Sequence, residues 1–264
     1  MPKNPIVFIH GLWMHSSTWK PWMQFFAQHG YESINPDWPG DGATVEASRA
    51  NPKAIANHTI KEVADGYAKV IATLPSKPIL IGHSFGGLMV QLLLGQGLGV
   101  AGIAIDPAPI KGVWQLPLSA LKASFPALGN PFNFSKSVSL THKQFKYGFT
   151  NAITEEESKD LYDRFTVPSP ARPLFQVAFA TFNPRAENKV NTANVTRGPL
   201  LITSGDKDHI VPPVLCKAAA NKYKKSPAIT ELKSFANRGH SLALDHGWTE
   251  IAEYSLKWLN EKGF

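Results

Sequence analysis

Short apolar runs alternate along the chain with longer stretches in which apolar residues recur at helical spacing. Runs of four to six apolar residues are typical of buried strands, whereas apolar residues three and four positions apart predict amphipathic helices. The predicted strands are residues 6–9, 31–35, 79–82, 100–106, 200–204 and 229–235, and the clearest helices are 19–28, 55–74, 85–94 and 248–259. This order predicts an α/β fold, a mostly parallel sheet of about six strands with helices on both faces.

Residues 107–196 interrupt this alternation. Helical patterns occur there at 118–125, 140–149, 155–165 and 174–182, punctuated by Pro126, Pro131 and the proline-rich run 168–173. We therefore predict a core of residues 1–106 and 197–264, with residues 107–196 inserted as a helical cap, or lid. The alternative is that the insertion only packs on one edge of the sheet, but an insertion at the carboxyl ends of strands normally shapes a pocket.

The candidate nucleophile lies at one of these strand ends, in the sequence Gly82-His83-Ser84-Phe85-Gly86. A G-x-S-x-G pattern between a strand and a helix is typical of a sharp turn that raises a serine above a sheet. Glycines at 82 and 86 remove side chains that would collide with the neighbouring strand and helix. The helix that follows points its N-terminus at Ser84, where its N–H groups favour negative charge.

A serine hydroxyl needs a base within hydrogen-bond reach and a third group that orients the base. Asp208 follows the strand at 200–204, and His240 follows the last strand, so each candidate comes from a different strand end. Asp206 and Asp106 are rival acids, and Asp106 also directly follows a strand. We interpret Asp206 as a loop-capping residue and choose Asp208.

With these residues the chain resembles the α/β-hydrolase-fold serine hydrolases, whose triad runs in the order Ser, Asp, His on the same loops. The resemblance covers nearly the whole chain and implies a three-layer fold with Ser84, Asp208 and His240 as catalytic residues. It also implies an oxyanion hole made by backbone N–H groups, for which we choose Phe85 and Leu12, with Trp13 in reserve. Aromatic residues are expected around an apolar pocket: Trp13, Trp114, Phe179 and Phe182.

The short stretch before His10 is similar to the start of esterases related to carboxylesterases, cofactor-free haloperoxidases and hydroxynitrile lyases. The lyases carry a lysine after the catalytic histidine, whereas this chain has Ser241. Epoxide hydrolases and haloalkane dehalogenases of the fold need an aspartate at position 84. The resemblance therefore favours hydrolysis of a carboxylic ester, or of a lactone or thioester, with a small to medium apolar substrate. The alternatives are a perhydrolase, disfavoured by Trp13, and a non-catalytic small-molecule receptor.

Composition changes this picture little. The chain has 264 residues, of which 27 are Lys or Arg and 20 are Asp or Glu. The densest basic cluster consists of Lys222, Lys224 and Lys225. It lacks the interleaved aromatic residues of a nucleic-acid surface. The single cysteine, Cys216, excludes an internal disulfide. No His and carboxylate spacing indicates a metal. We expect a small-molecule ester as partner, no cofactor, no metal, no nucleic acid, no membrane span and a cytoplasmic location; the oligomeric state stays open.

Overall fold

The computed structural model describes residues 3–264, so Met1 and Pro2, with which the predicted core begins, lie outside the described residues. The strands are β1 (Ile6–Ile9), β2 (Ser33–Ile34), β3 (Ile79–His83), β4 (Ala101–Ile105), β5 (Ser137–Val138), β6 (Ser169–Pro170), β7 (Leu200–Gly205) and β8 (Thr230–Phe235). The helices are α1 (Lys20–Gln28), α2 (Val45–Ala50), α3 (Pro52–Ile55), α4 (Ile60–Ala72), α5 (Phe85–Gly95), α6 (Leu118–Leu128), α7 (His142–Gly148), α8 (Glu155–Phe165), α9 (Arg172–Ala178), α10 (Pro213–Lys222) and α11 (Trp248–Glu261).

Six strands form one sheet in the order β2-β1-β3-β4-β7-β8, and every neighbouring pair is parallel. Successive residues of a strand point to opposite faces of a sheet. In β1, Val7 and Ile9 join one buried cluster with α4 and α5, while Ile6 and Phe8 join a second cluster with α1 and α11. Burial on both faces explains the unbroken apolar runs of the sequence. The predicted three-layer α/β-hydrolase fold is confirmed.

Several predicted helix boundaries differ from the structure, and two of these differences have a clear local cause. The helix predicted over 55–74 begins only at Ile60, because Thr59 and Glu62 form a reciprocal capping box that fixes its start. The helix predicted to end at residue 125 continues to Leu128, and the bond from the Gly129 N–H to the Phe125 carbonyl, at 2.8 Å, closes its last turn. Pro126 removes one N–H donor without ending the helix.

Between β4 and β7 the chain forms helices α6 to α9 and an antiparallel ribbon of β5 and β6. The ribbon strands are only two residues long, too short for an alternating pattern to reveal them. The ribbon borders the loop after β1, where the Trp13 indole N–H donates to the Val138 carbonyl at 2.9 Å. The assignment of residues 107–196 to a cap stays a prediction. Within residues 3–264, no helix combines the length and the apolar character that crossing a bilayer requires.

Candidate active site

Ser84 occupies the turn between β3 and α5. Its backbone has φ 57° and ψ −120°, a region that residues with a side chain rarely adopt. The strain is held by close packing on both sides: a Cβ atom on Gly86 would lie 2.0 Å from the Ile9 carbonyl oxygen, so only glycine fits there. The Ser84 N–H donates to the Ile105 carbonyl at 2.9 Å. The turn is thus fixed by the strands on both sides of β3.

Asp208 and His240 meet beyond the ends of β7 and β8. One carboxylate oxygen of Asp208 accepts the N–H groups of Ile210 and Val211 at 2.7 and 2.9 Å, and the other lies 2.6 Å from His240 Nδ1. If Nδ1 donates to the carboxylate, His240 Nε2 carries the lone pair. That Nε2 atom is buried and has no hydrogen-bond partner in the described part of the chain. Asp208 therefore orients the imidazole through Nδ1, and Nε2 is left without a hydrogen bond.

The residue before the candidate nucleophile connects Ser84 to His240. His83 Nε2 lies 2.8 Å from the His240 carbonyl oxygen, and the two rings are 4.5 Å apart. Burial, and then the charge of His240, lower the pKa of His83 to about 3, so its ring is neutral and donates through Nε2. In the part of the chain that the structure describes, no hydrogen bond joins Ser84 to His240. Such bonds commonly tighten only when substrate binds.

A second buried carboxyl group, Asp106, lies beside this pair. It follows β4 with φ 42°, and its Oδ1 accepts the Gly205 N–H at 3.0 Å, whereas its Oδ2 has no partner in the described residues. Ligand atoms of Asp106, Asp208 and His240 all lie within 4.8 Å of one another. The three groups are close enough together to coordinate a cation, but Asp208 and His240 Nδ1 are already hydrogen-bonded to each other.

Asp106 and Asp208 have pKa values shifted in opposite directions, because their surroundings differ. Burial, and then the charge of Asp208, raise the pKa of Asp106 well above its ordinary value. Burial alone would also raise the pKa of Asp208, but the charge and hydrogen bond of His240, helped by Asp106 and Val211, hold it below the ordinary value. Asp208 is therefore the ionised neighbour of His240, and Asp106 is neutral. The other rival acid, Asp206, is exposed.

The loop after β1 packs directly against the serine. A Cβ atom on Gly11 would lie 2.8 Å from Ser84 Cβ and 3.3 Å from the Phe85 nitrogen. Within residues 3–264, the N–H groups of Leu12 and Phe85 donate to no acceptor, whereas the Trp13 N–H donates to Ser169 Oγ at 2.5 Å. The N–H groups of Leu12 and Phe85 are thus unpaired in the described residues, whereas that of the reserve candidate Trp13 is occupied.

An apolar cavity of about 110 Å³ adjoins Ser84. Its lining contains no charged side chain and consists of Ser84, Phe85, Ala108, Pro109, Gln115, Leu116, Pro117, Ala120, Leu121, Ser124, Leu128, Leu174, Val177, Ala178, Ile210, Val211 and Leu215. The structure places the four aromatic residues predicted for the pocket outside this lining. Trp13 is buried against the β5–β6 ribbon, and Trp114, Phe179 and Phe182 are largely exposed. Aliphatic residues of α6 and α9 occupy the lining instead.

A buried polar cluster underlies the loop after β1. His10 Nδ1 lies 3.0 Å from the Gly11 carbonyl, and its Nε2 accepts the Trp38 N–H and lies 3.3 Å from Asp41 Oδ2. Burial lowers the pKa of His10 to about 4, and burial together with the charge of Asp37 raises the pKa of Asp41 to about 7. No pattern along the chain indicated Asp41, which lies in an irregular Gly-rich stretch.

Residues 6–254 match the model of a family described as the alpha/beta hydrolase family. The chain belongs to this family. Among curated proteins, it is 33% identical over 87 residues to the (E)-2-((N-methylformamido)methylene)succinate hydrolase of Acinetobacter baylyi, a match covering 33% of this chain and 30% of that protein. It is 33% identical over 140 residues to Protein ABHD8 of Bos taurus, covering 48% of this chain and 31% of that protein. The matches span less than a third of either relative.

Solved structures share the fold over almost the whole chain. An extracellular alpha/beta-hydrolase from a Paenibacillus species superposes with a TM-score of 0.70 at 19% identity, covering 97% of this chain and 98% of that one. A methylesterase from Arabidopsis superposes with a TM-score of 0.67 at 17% identity, covering 98% and 99%. At these identities the likeness establishes the alpha/beta-hydrolase architecture alone.

Proposed function

We propose that this chain is a serine hydrolase of carboxylic esters that acts through an acyl-enzyme on Ser84. The observation that carries the proposal is the state of His240, whose Nδ1 is held by Asp208 at 2.6 Å while its buried Nε2 has no partner in the described residues. An imidazole oriented in this way is suited to accept a proton from a neighbouring hydroxyl. His83, the residue before the strained Ser84, is hydrogen-bonded to the backbone carbonyl of His240. Ser84 itself lines an apolar cavity.

In the proposed reaction, Ser84 Oγ attacks the acyl carbon of the ester while His240 Nε2 takes its proton. The N–H groups of Leu12 and Phe85 stabilise the negative oxygen of the tetrahedral intermediate. His240 then gives the proton to the leaving alcohol as the carbon–oxygen bond breaks. Water, deprotonated by His240, then attacks the acyl carbon. The bond from that carbon to Ser84 Oγ breaks, His240 returns the proton to Oγ, and the acid is released. Asp208 orients the imidazole and stabilises its charged form in both halves.

The cavity supports an uncharged, apolar acyl or alcohol group of small to medium size. Its lining has no charge that would offset the desolvation of an ionised substrate. The neighbour from Arabidopsis carries the name of a methylesterase, which agrees with ester chemistry on this fold. The relative from Acinetobacter baylyi is named as the hydrolase of a succinate that bears an amide and no ester, so its name supports hydrolysis alone. Residues 107–196, which contribute much of the lining, are proposed as a cap over this cavity.

The test is hydrolysis of p-nitrophenyl esters from acetate to palmitate by the wild type and by two alanine variants. We expect Ser84→Ala to reduce turnover by a factor on the order of a million. The matched control is Ser76→Ala, an exposed serine outside the site, and it is expected to leave turnover unchanged. Undiminished cleavage by Ser84→Ala contradicts the proposal. Labelling of Ser84 by a fluorophosphonate without repeated turnover on any ester supports a receptor instead.

A further inference from the structure

Large apolar side chains are exposed beside the cavity. Trp114, Leu116, Leu118 and Phe125 are 62%, 73%, 82% and 68% exposed, and Leu121 is 46% exposed. We call these five residues the mouth surface. Leu118, Leu121 and Phe125 are spaced three and four positions apart, so they share the outward face of α6. A soluble helix normally turns such a face inward, and a contiguous exposed apolar patch marks a site of interaction.

The mouth surface is continuous with the cavity next to Ser84. Leu116 and Leu121 belong to the cavity lining and are exposed at the same time. On its other side, Leu121 and Phe125 share a shallow depression with Lys122 and Gln144 at the start of α7. The mouth surface therefore extends from the cavity across the outer face of α6 to the neighbouring helix.

The charged residues of the segment that contains the mouth surface have one sign. From Pro107 to Thr154 the sequence contains no Asp or Glu, although the chain has 20 acidic residues, and it contains five lysines. Lys122, Lys136 and Lys143 are exposed, on α6, beside β5 and on α7. An apolar stripe in a segment whose Lys residues are not offset by any Asp or Glu is complementary to a surface that has an apolar interior and an anionic boundary.

We propose that the mouth surface docks on an anionic lipid bilayer. In this arrangement the α6 side chains enter the boundary between headgroups and acyl chains, and the lysines lie near the headgroup phosphates. A second copy of the chain fits less well, because an isologous contact would bring the same lysines together. Docking of this kind goes beyond ester hydrolysis and does not require it, since Trp114, Leu118 and Phe125 lie outside the lining of the cavity proposed for the substrate.

The experiment is sedimentation of the full chain with vesicles of phosphatidylcholine alone and of phosphatidylcholine mixed with phosphatidylglycerol. We expect binding to the mixed vesicles, at least tenfold weaker binding to phosphatidylcholine alone, and a decrease with added salt. The triple variant Trp114→Ser, Leu118→Ser, Phe125→Ser is expected to lose binding by at least tenfold. Its control, Val195→Ser, Ile229→Ser, Leu232→Ser, removes three exposed apolar residues elsewhere and is expected to bind like the wild type.

Two charge-reversal double variants show whether binding depends on the lysines beside the mouth surface or on the net charge of the chain. Lys122→Glu with Lys143→Glu and Lys224→Glu with Lys225→Glu change the net charge equally, and we expect only the first pair to weaken binding by more than fivefold. Melting temperature shows whether each variant is folded, and hydrolysis of a water-soluble ester reports the proposed function separately. Equal binding of the mouth-surface variant and its control, or of the two charge pairs, overturns the proposal. So does a concentration-dependent dimer that only the mouth-surface variant abolishes.

Discussion

His83 Nε2 is hydrogen-bonded to the carbonyl oxygen of His240 at 2.8 Å, so the residue before the candidate nucleophile holds the backbone of the candidate base. The two residues come from different strand ends, since His83 is the last residue of β3 and His240 follows β8. Their rings are also in contact, with centroids 4.5 Å apart. This contact couples the position of the imidazole to the strained turn at Ser84.

Replacing His83 tests this positioning role. His83→Ala removes the donor and the ring packing, and we expect kcat to fall by about a hundredfold with a smaller change in KM, as for a misplaced catalytic group. His83→Gln retains an N–H donor and is expected to recover at least part of kcat. Steady-state kinetics on a p-nitrophenyl ester measures both. Equal loss in the two variants would show that the hydrogen bond does not matter.

Asp106 and Asp208 are distinguished by their ionisation. Because burial and the Asp208 charge keep Asp106 neutral, Asp106→Asn replaces it with a neutral group of the same shape, and we expect kcat to change by less than about fivefold. Asp208→Asn removes the ionised partner of His240 and is expected to lower kcat on the order of ten-thousandfold. The exposed Asp206→Asn is the control and is expected to behave like the wild type. The opposite ranking would make Asp106 the catalytic acid.

The strand ends that carry Ser84, Asp208 and His240 could be predicted from the sequence, because apolar runs and Gly-containing turns are local patterns of a few residues. The three-layer fold was predictable for the same reason. The contact of His83 with His240 joins residues 157 positions apart, and only the packed sheet defines it. The cavity lining was missed because it depends on how α6 and α9 pack over the sheet, which spacing alone does not specify.

The ionisation of Asp41 predicts a pH dependence of stability. Its pKa in the folded chain is raised from 3.8 to about 7, so the folded state holds a proton that the unfolded state releases at lower pH. The free energy of unfolding therefore receives a contribution from Asp41 that is complete below about pH 4 and is lost as pH rises towards 7. Urea unfolding between pH 4 and 8 should show a shallower decline in Asp41→Asn.

Asp37 provides the companion variant for Asp41. Its charge is the second cause of the raised pKa of Asp41, after burial. Asp37→Asn should therefore shift the decline of stability to lower pH without removing it. Identical pH profiles for the wild type, Asp37→Asn and Asp41→Asn would contradict the assignment of this titration to Asp41.

Close packing of the β1 loop on the serine turn predicts intolerance at Gly11. In Gly11→Ala the new Cβ would lie 2.8 Å from Ser84 Cβ and 2.9 Å from the His83 carbonyl oxygen, so the loop must move. We expect a loss of about 1–3 kcal/mol in the free energy of unfolding, together with reduced kcat. Gly66→Ala, inside α4 with its nearest contact at 3.6 Å, is expected to stabilise the chain by about 0.5–1 kcal/mol. Thermal melting of both variants compares them.

The central claim is a covalent acyl-enzyme on Ser84, and rapid-quench intact-protein mass spectrometry tests it most directly. During turnover of a p-nitrophenyl ester, the wild type should gain the mass of one acyl group, peptide mapping should locate it on Ser84, and it should disappear when the ester is exhausted. Ser84→Ala should gain none. Turnover without acylation, or acylation at another residue that persists in Ser84→Ala, would contradict the account.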